Sequence, residues 1–285
     1  MMHGSEINEG LIFKSQINCT ALKVPDELDD IQELIKSARA QESHLKNAPM
    51  HKVMEFIRSG GVKGTECIGR QDGCNRILRA FYVDFFARLK GSVVTPSANQ
   101  TLFIEYLGIG NDYSVTNFNQ ATLGNEIYRD VPDEFYDDGI STFYSTLYLK
   151  KSEANPTGDT TLTAGTTTTV TVTSPTGFIE NGRVEIETTL NTYNCTITNI
   201  AGSVFTVSAI TGGALTNASA FDAGDIPQSG DAIISLHSEA SCFIGGAATG
   251  SPDTGSPMNR KRLEQKKNDS ISLLYDYILA CASLD

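Results

Sequence analysis

Tryptophan is absent from this chain, and histidine occurs only at His3, His44, His51 and His237. Those four are too scattered for a local ligand motif, and no HExxH, GxSxG, Walker or CxxC pattern occurs. Long apolar runs are missing as well. The opening MMHGSEINEGLIFKSQINCT lacks an apolar core behind a basic start, and no run approaches the roughly 18 apolar residues of a membrane span. The expectation is a protein made and kept soluble in a cytosol, with no membrane partner. Basic residues are few: 22 Lys and Arg against 34 Asp and Glu give a formal net charge of −12. Affinity for nucleic acid rests on cations displacing counterions, so nucleic acid is not an expected partner either. The one basic cluster, Lys261, Arg262, Lys266 and Lys267, reads as a solvated face.

What is present is a chain of 285 residues with 40% hydrophobic and 20% charged content, enough for one large or two ordinary folded domains. Cys19, Cys67, Cys74, Cys195, Cys242 and Cys281 are too dispersed for a disulfide-dense scaffold. They suit a protein assembled in reducing cytosol and later released. Cys67 and Cys74 enclose a glycine-containing loop that either closes a disulfide ring or holds two free thiols; a zinc knuckle would need a second pair.

Residues 1–25 read as an extended arm or edge strand. Behind Pro25 and an acidic first turn, Leu28, Ile31, Ile35 and Ala38 recur at helical spacing, predicting a helix over 27–46 and a shorter one over 50–58 that ends at Gly60-Gly61. That narrow apolar stripe is the candidate interface, able to pack on its own domain or on a symmetry mate. The segment NRILRAFYVDFFARLKG, from Asn75 to Gly91, puts Ile77, Leu78, Phe81, Phe85 and Leu89 on one helical face, a core helix. Phe103–Asp130 reads as a strand ending in glycines, a polar loop and a return. GISTFYSTLYLK, from Gly139, alternates as a strand against a core.

Composition then changes. Over about 155–225, Thr, Ser, Gly, Val and Asn dominate, and short alternating runs are separated by turns at roughly ten-residue intervals, the pattern of a small barrel or sandwich of five or six strands. The last 60 residues return to the earlier character. Ser270–Ser283 places Ile271, Leu273, Tyr275, Tyr277, Leu279 and Cys281 on one face by period two. The fold expected is mainly β with N-terminal helices (α+β): a split antiparallel β-sandwich carrying an inserted small all-β barrel or Ig-like domain. The units expected are an arm and helices over 1–62, a discontinuous scaffold over 63–153 plus 230–285, and the insert over 154–229.

Convergent chemistry is sparse. Gly108-Ile-Gly110-Asn111 is half a dinucleotide fingerprint, without the third glycine. Glu126 and Arg129 read as a structural ion pair. The acids Asp130, Asp133, Glu134, Asp137 and Asp138, and the pair Asp222 and Asp225, have the oxygen chemistry of calcium sites but no EF-hand or Asp-Gly repeat. No catalytic, cofactor-binding or metal-ligating residue is assigned.

The order of motifs carries more than any one of them. Asn75-Arg-Ile-Leu and its aromatic helix precede IEYLGIGND, then ATLGNEIYR, then FYSTLYLKKSEAN; SLHSEASCFIGGAATG, Gly255-Ser-Pro-Met-Asn259-Arg260 and the terminal strand follow. The series resembles a module of virion structural proteins of tailed bacteriophages, found in tail, neck and fibre-associated components. The resemblance covers about residues 75–153 and 232–285; the helices at 27–58 have no counterpart in it. It implies a non-enzymatic subunit, located in the virion, whose partners are copies of itself and other virion proteins in a homo-oligomer. The alternative is a host-surface adhesin in which the inserted block binds glycans through Phe178, Tyr193, Phe205 or Phe221.

Overall fold

The computed structural model describes residues 11–72, 76–77, 104–111, 123, 126–153, 158–211, 214–215, 220–244, 256–257, 259–266 and 270–283. In chain order, β1 (Leu11–Lys23) precedes two helices, α1 (Ile31–Gln41) and α2 (Met50–Arg58), then β2 (Glu66–Gln71) and β3 (Arg76–Ile77). β4 (Ile104–Gly110), β5 (Glu126–Asp130), β6 (Glu134–Asp137) and β7 (Thr142–Leu149) follow. The Thr-rich block holds β8 (Asp159–Gly165), β9 (Thr169–Val172), β10 (Arg183–Glu187), β11 (Thr192–Ala201), β12 (Val204–Thr211) and β13 (Ala214–Leu215). β14 (Ala232–Ile244), β15 (Ser256–Pro257), β16 (Asn259–Lys266) and β17 (Ser272–Ser283) complete the chain. No described helix is long and apolar enough to cross a membrane.

Two antiparallel sheets and a helical layer make the first unit. Sheet one runs β2-β1-β17-β7-β6, and sheet two runs β5-β4-β14-β16-β3. Between them lie Ile17, Cys19 and Ala21 of β1, Leu107 and Ile109 of β4, Leu147 and Leu149 of β7, and Leu273, Tyr275 and Tyr277 of β17. The period-two face expected for the last strand is therefore the sandwich core; the side chain of Cys281 lies outside the description. The opposite face of sheet one, with Leu22, Tyr136, Tyr148 and Leu274, is covered by α1 and α2.

The segment expected as an arm or edge is an internal strand. β1 pairs with β17 from Leu11↔Ser283 to Leu22↔Ser272, and with β2 on its other side. β2 itself occupies part of the expected Cys67 to Cys74 loop. Cys67 is a free thiol in this structure, and Cys74 lies outside the described residues.

The helix expected over 27–46 is divided. Asp29 is drawn to the sheet: its carboxylate accepts from Tyr148 Oη (2.9 Å), Ser272 Oγ (2.6 Å) and Lys151 N (2.9 Å). This holds Asp26–Leu28 as a separate 3-10 turn, and α1 starts only after Asp30, whose side chain accepts from Gln32 N at 2.9 Å as an N-cap. α2 ends in a Schellman turn in which Gly61 N donates to Phe56 O and Gly60 N to Ile57 O, with Gly60 at φ +71°. The core helix expected from Asn75 falls mostly outside the described residues, but Arg76–Ile77 is strand, paired with β16.

The Thr-rich block closes into a six-stranded barrel, β8-β9-β12-β11-β10-β14 and back to β8. Its interior includes Leu162, Val170, Ile186, Ile197, Phe205 and Val207. Asn181 (φ 64°) and Gly202 (φ 63°) make the left-handed turns before β10 and before β12. The sixth strand comes from beyond the range expected for the insert: Ala232–Ser235 pairs in the barrel, while the continuation of the same strand pairs with β16 and β4 in sheet two. At this seam Asn111 Nδ2 donates to Ser235 Oγ at 2.6 Å, both residues buried.

Candidate functional site

The four stripe residues go to the interior. Ile31, Ile35 and Ala38 are buried and Leu28 is partly so, all against Leu34, Val53, Ile57, Tyr148 and Leu274 of the same chain. Of the two partners that the stripe allowed, its own sheet is the one present, so these residues are not an exposed interface. Helical spacing marks a buried face without saying which surface buries it.

Glu126 and Arg129 do pair, through Nε to Oε1 at 2.7 Å and Nη2 to Oε2 at 2.6 Å. Three residues apart in a regular strand would put them on opposite faces. A bulge at Ile127, where Ile109 faces Tyr128 and Gly110 faces Glu126, resets the alternation and lets them meet. The Arg129 guanidinium also lies 5.9 Å over the Tyr106 ring.

Beneath the helices is a charged group for which the spacing rules gave no warning. Arg58 Nε and Nη2 reach Asp276 at 2.5 and 2.6 Å, Arg58 also donates to Tyr136 Oη, and Thr146 Oγ1 donates to Asp276 at 2.6 Å. Burial disfavours the charged guanidinium, but the Asp276 carboxylate outweighs it and raises the Arg58 pKa. The signal available in the sequence was a single acid inside the apolar run SLLYDYILA, which requires a buried partner. The group fastens α2 to the centre of sheet one.

The acidic stretches direct their carboxylates to the protein's own donors. No cluster of His, Cys, Asp and Glu among the described residues is arranged to hold a metal ion. Asp225 Oδ2 accepts from Tyr193 Oη (2.6 Å), Thr188 Oγ1 (2.9 Å) and Asn191 Nδ2 (3.2 Å). Asp133 accepts from Tyr148 N at 2.7 Å; withdrawal from water and then its acidic neighbours Asp130 and Glu153 raise its pKa. It lines a cleft of about 100 Å³ with Asp30, Tyr128 and Lys150. The half fingerprint at Gly108-Ile-Gly110 lies within and at the end of β4, paired with β14 and β5. Of the aromatics available to a sugar, Phe178, Phe205 and Phe221 are barrel core, and the Tyr193 hydroxyl is held by Asp225.

The surface most unlike ordinary protein exterior is the β6–β7 hairpin. β6 is the edge of sheet one, pairing only with β7 among the described strands. On the side that elsewhere faces sheet two, Phe135 and Phe143 stack at 6.0 Å yet remain exposed, with Val131 exposed beside them in sequence. At the turn, Ile140 is 89% exposed. This is a built presentation. The Asp138 carboxylate accepts from Ile140 N (2.9 Å), Ser141 N (3.0 Å) and Thr142 N (3.0 Å), and Asp137 Oδ1 accepts from Gly139 N (2.8 Å). Those amides, that of Thr142 foremost, hold the Asp138 carboxyl well below the usual carboxylate range. An apolar side chain held outward by a turn with four backbone hydrogen bonds, next to a strand edge that is unpaired among the described residues, has the chemistry of a contact surface.

Comparison of the chain with protein-family models, with curated proteins and with solved structures returned no match.

Proposed function

We propose that this protein is a non-enzymatic structural subunit that works through contacts with copies of itself and with other proteins of an assembly. The assembly class that the motif order favours is the tail, neck or fibre region of a tailed-bacteriophage virion. In this reading the helix-backed sandwich is the scaffold and the barrel is the module it carries outward, held by the uninterrupted strand β14. The observation that carries the proposal is the β6–β7 hairpin: an ordered turn that keeps Ile140 at 89% exposure on a sheet edge. Leaving an isoleucine in water forfeits about 1.5–3 kcal/mol of burial free energy, a cost that a partner surface recovers. Host-glycan adhesion ranks second because three of the four barrel aromatics face the barrel core.

Static light scattering of the full chain over a wide concentration range tests the proposal. Growth of the weight-average mass into discrete multiples of the protomer is expected. A strict monomer at the highest concentration would remove the basis for an assembly subunit.

A further inference from the structure

The hairpin also indicates what kind of surface it meets. Residues 130–141 contain Asp130, Asp133, Glu134, Asp137 and Asp138 and no Lys or Arg. A symmetric contact, one hairpin against another, would bring these like charges together, which disfavours a two-fold dimer through this surface. A stretch of opposite character connects the two helices. From Ser43 to Met54 the chain carries His44, Lys46, His51 and Lys52 and no Asp or Glu, in a protein of net charge −12.

That connection frames a groove. α1 ends at Gln41, Ser43–Leu45 folds as a 3-10 turn and α2 starts after Pro49, which brings Leu45 and Ala48 beside Phe56. Leu45 is buried in the helical core, while Ala48 and Phe56 pack against it only in part. The groove is open, with a volume of about 480 Å³; Leu45, Ala48 and Phe56 form its apolar lining, and His44 and Lys52 stand at its rim. Lys46 is exposed beside it in the chain. Lys52 Nζ lies 3.2 Å from Glu55 Oε2, but both side chains are more than half exposed, so the pair is weak and open to a second acid. The hairpin turn of the same chain does not occupy this groove. Arg58 fixes α2 to Asp276, which pairs with Thr146, and the turn lies beyond Thr142, four residues further along β7. Its Ile140, at 89% exposure, is left uncovered by its own chain.

We infer that the β6–β7 hairpin of one copy inserts Ile140 into the α1–α2 groove of a second copy. Leu45, Ala48 and Phe56 receive the isoleucine, and Phe143 beside the turn widens the apolar contact. Asp137 and Asp138 then approach Lys46 and Lys52, so charge sets which surface meets which. Each copy offers one hairpin and one groove on different parts of its surface. Such a contact is heterologous, so it closes into a ring or continues as a filament. This inference rests on the reading of the protein as an assembly subunit and adds the surface that receives the hairpin.

The test compares the full chain with two variants by native mass spectrometry and sedimentation velocity, with circular-dichroism melting as the check of folding. Ile140→Asp alters the hairpin tip, and Lys46→Glu with Lys52→Glu reverses the charge beside the groove. Ile140, Lys46 and Lys52 are all exposed, so the core is untouched. The expected result is assembly of the unmodified chain, with each variant alone associating more weakly by about tenfold or more. Mixed in equal amounts, the two variants should form a one-to-one pair that grows no further, because one still has an intact groove and the other an intact hairpin. If the unmodified chain assembles and either folded variant associates equally well, or the mixture yields no pair, the docking assignment is wrong and the assembly reading stands. If the unmodified chain never assembles, both fall.

Discussion

The sandwich and the barrel are both antiparallel β units, and they secure their cores by different chemistry. Inside the barrel the packed cluster is apolar, built from Val, Ile, Leu and Phe with Cys195, whose thiol pKa burial pushes up to about 12. The helix-covered face of sheet one instead runs a charged pair through its centre, Arg58 with Asp276, satisfied by Tyr136 and Thr146. An apolar core gains from area and tolerates small changes locally. A buried ion pair makes little net gain over an apolar pair, but removing one partner leaves an uncompensated charge. The barrel also holds a buried charge, Arg183, whose Nη1 donates to Thr196 Oγ1 at 3.3 Å on the face of β10 and β11 opposite the apolar cluster; it is the apolar barrel interior that should lose stability gradually under substitution, and the helix-covered face of the scaffold abruptly.

The largest effect that separates the two is Asp276→Ala. It strands the Arg58 guanidinium and is expected to destabilise the scaffold by about 3–5 kcal/mol. Hydrogen exchange should accelerate across β1, β7 and β17 more than in β9–β12. Replacing both partners, Arg58→Met with Asp276→Leu, should recover most of the loss, because no charge is then left buried. Equal acceleration in scaffold and barrel would mean that β14 couples the units into one cooperative block. A smaller effect probes the other side of the comparison: Ile197→Val, at a fully buried barrel position, should cost about 0.5–1.5 kcal/mol. Its exchange changes should stop at Ser235, where β14 leaves the barrel.

The same contrast governs what the sequence made legible. The barrel was readable because its strands alternate cleanly and its turns carry Asn181-Gly182 and Gly202, residues that tolerate left-handed backbone. The terminal strand was readable for the same reason, with Leu273, Tyr275 and Tyr277 in period. β1 was not, since Ser15, Asn18 and Thr20 are buried among its apolar residues and blur the alternation. The switch of β14 between barrel and sheet two at Ser235–Leu236 was hidden, because a strand that changes partners keeps its period. The Leu28, Ile31, Ile35 and Ala38 stripe was legible as a buried face but not as to what buries it. The hairpin surface escaped notice because Phe143 belongs to a run that alternates as a strand against a core; the structure leaves both it and Phe135 exposed.

Hydrogen exchange of the full chain at a dilute and at an assembling concentration tests the β6–β7 contact surface most directly. The account predicts slower exchange over Glu134–Asp137 and Thr142–Leu149 in the assembled sample. Unchanged exchange there, in a sample that is assembled, would contradict it.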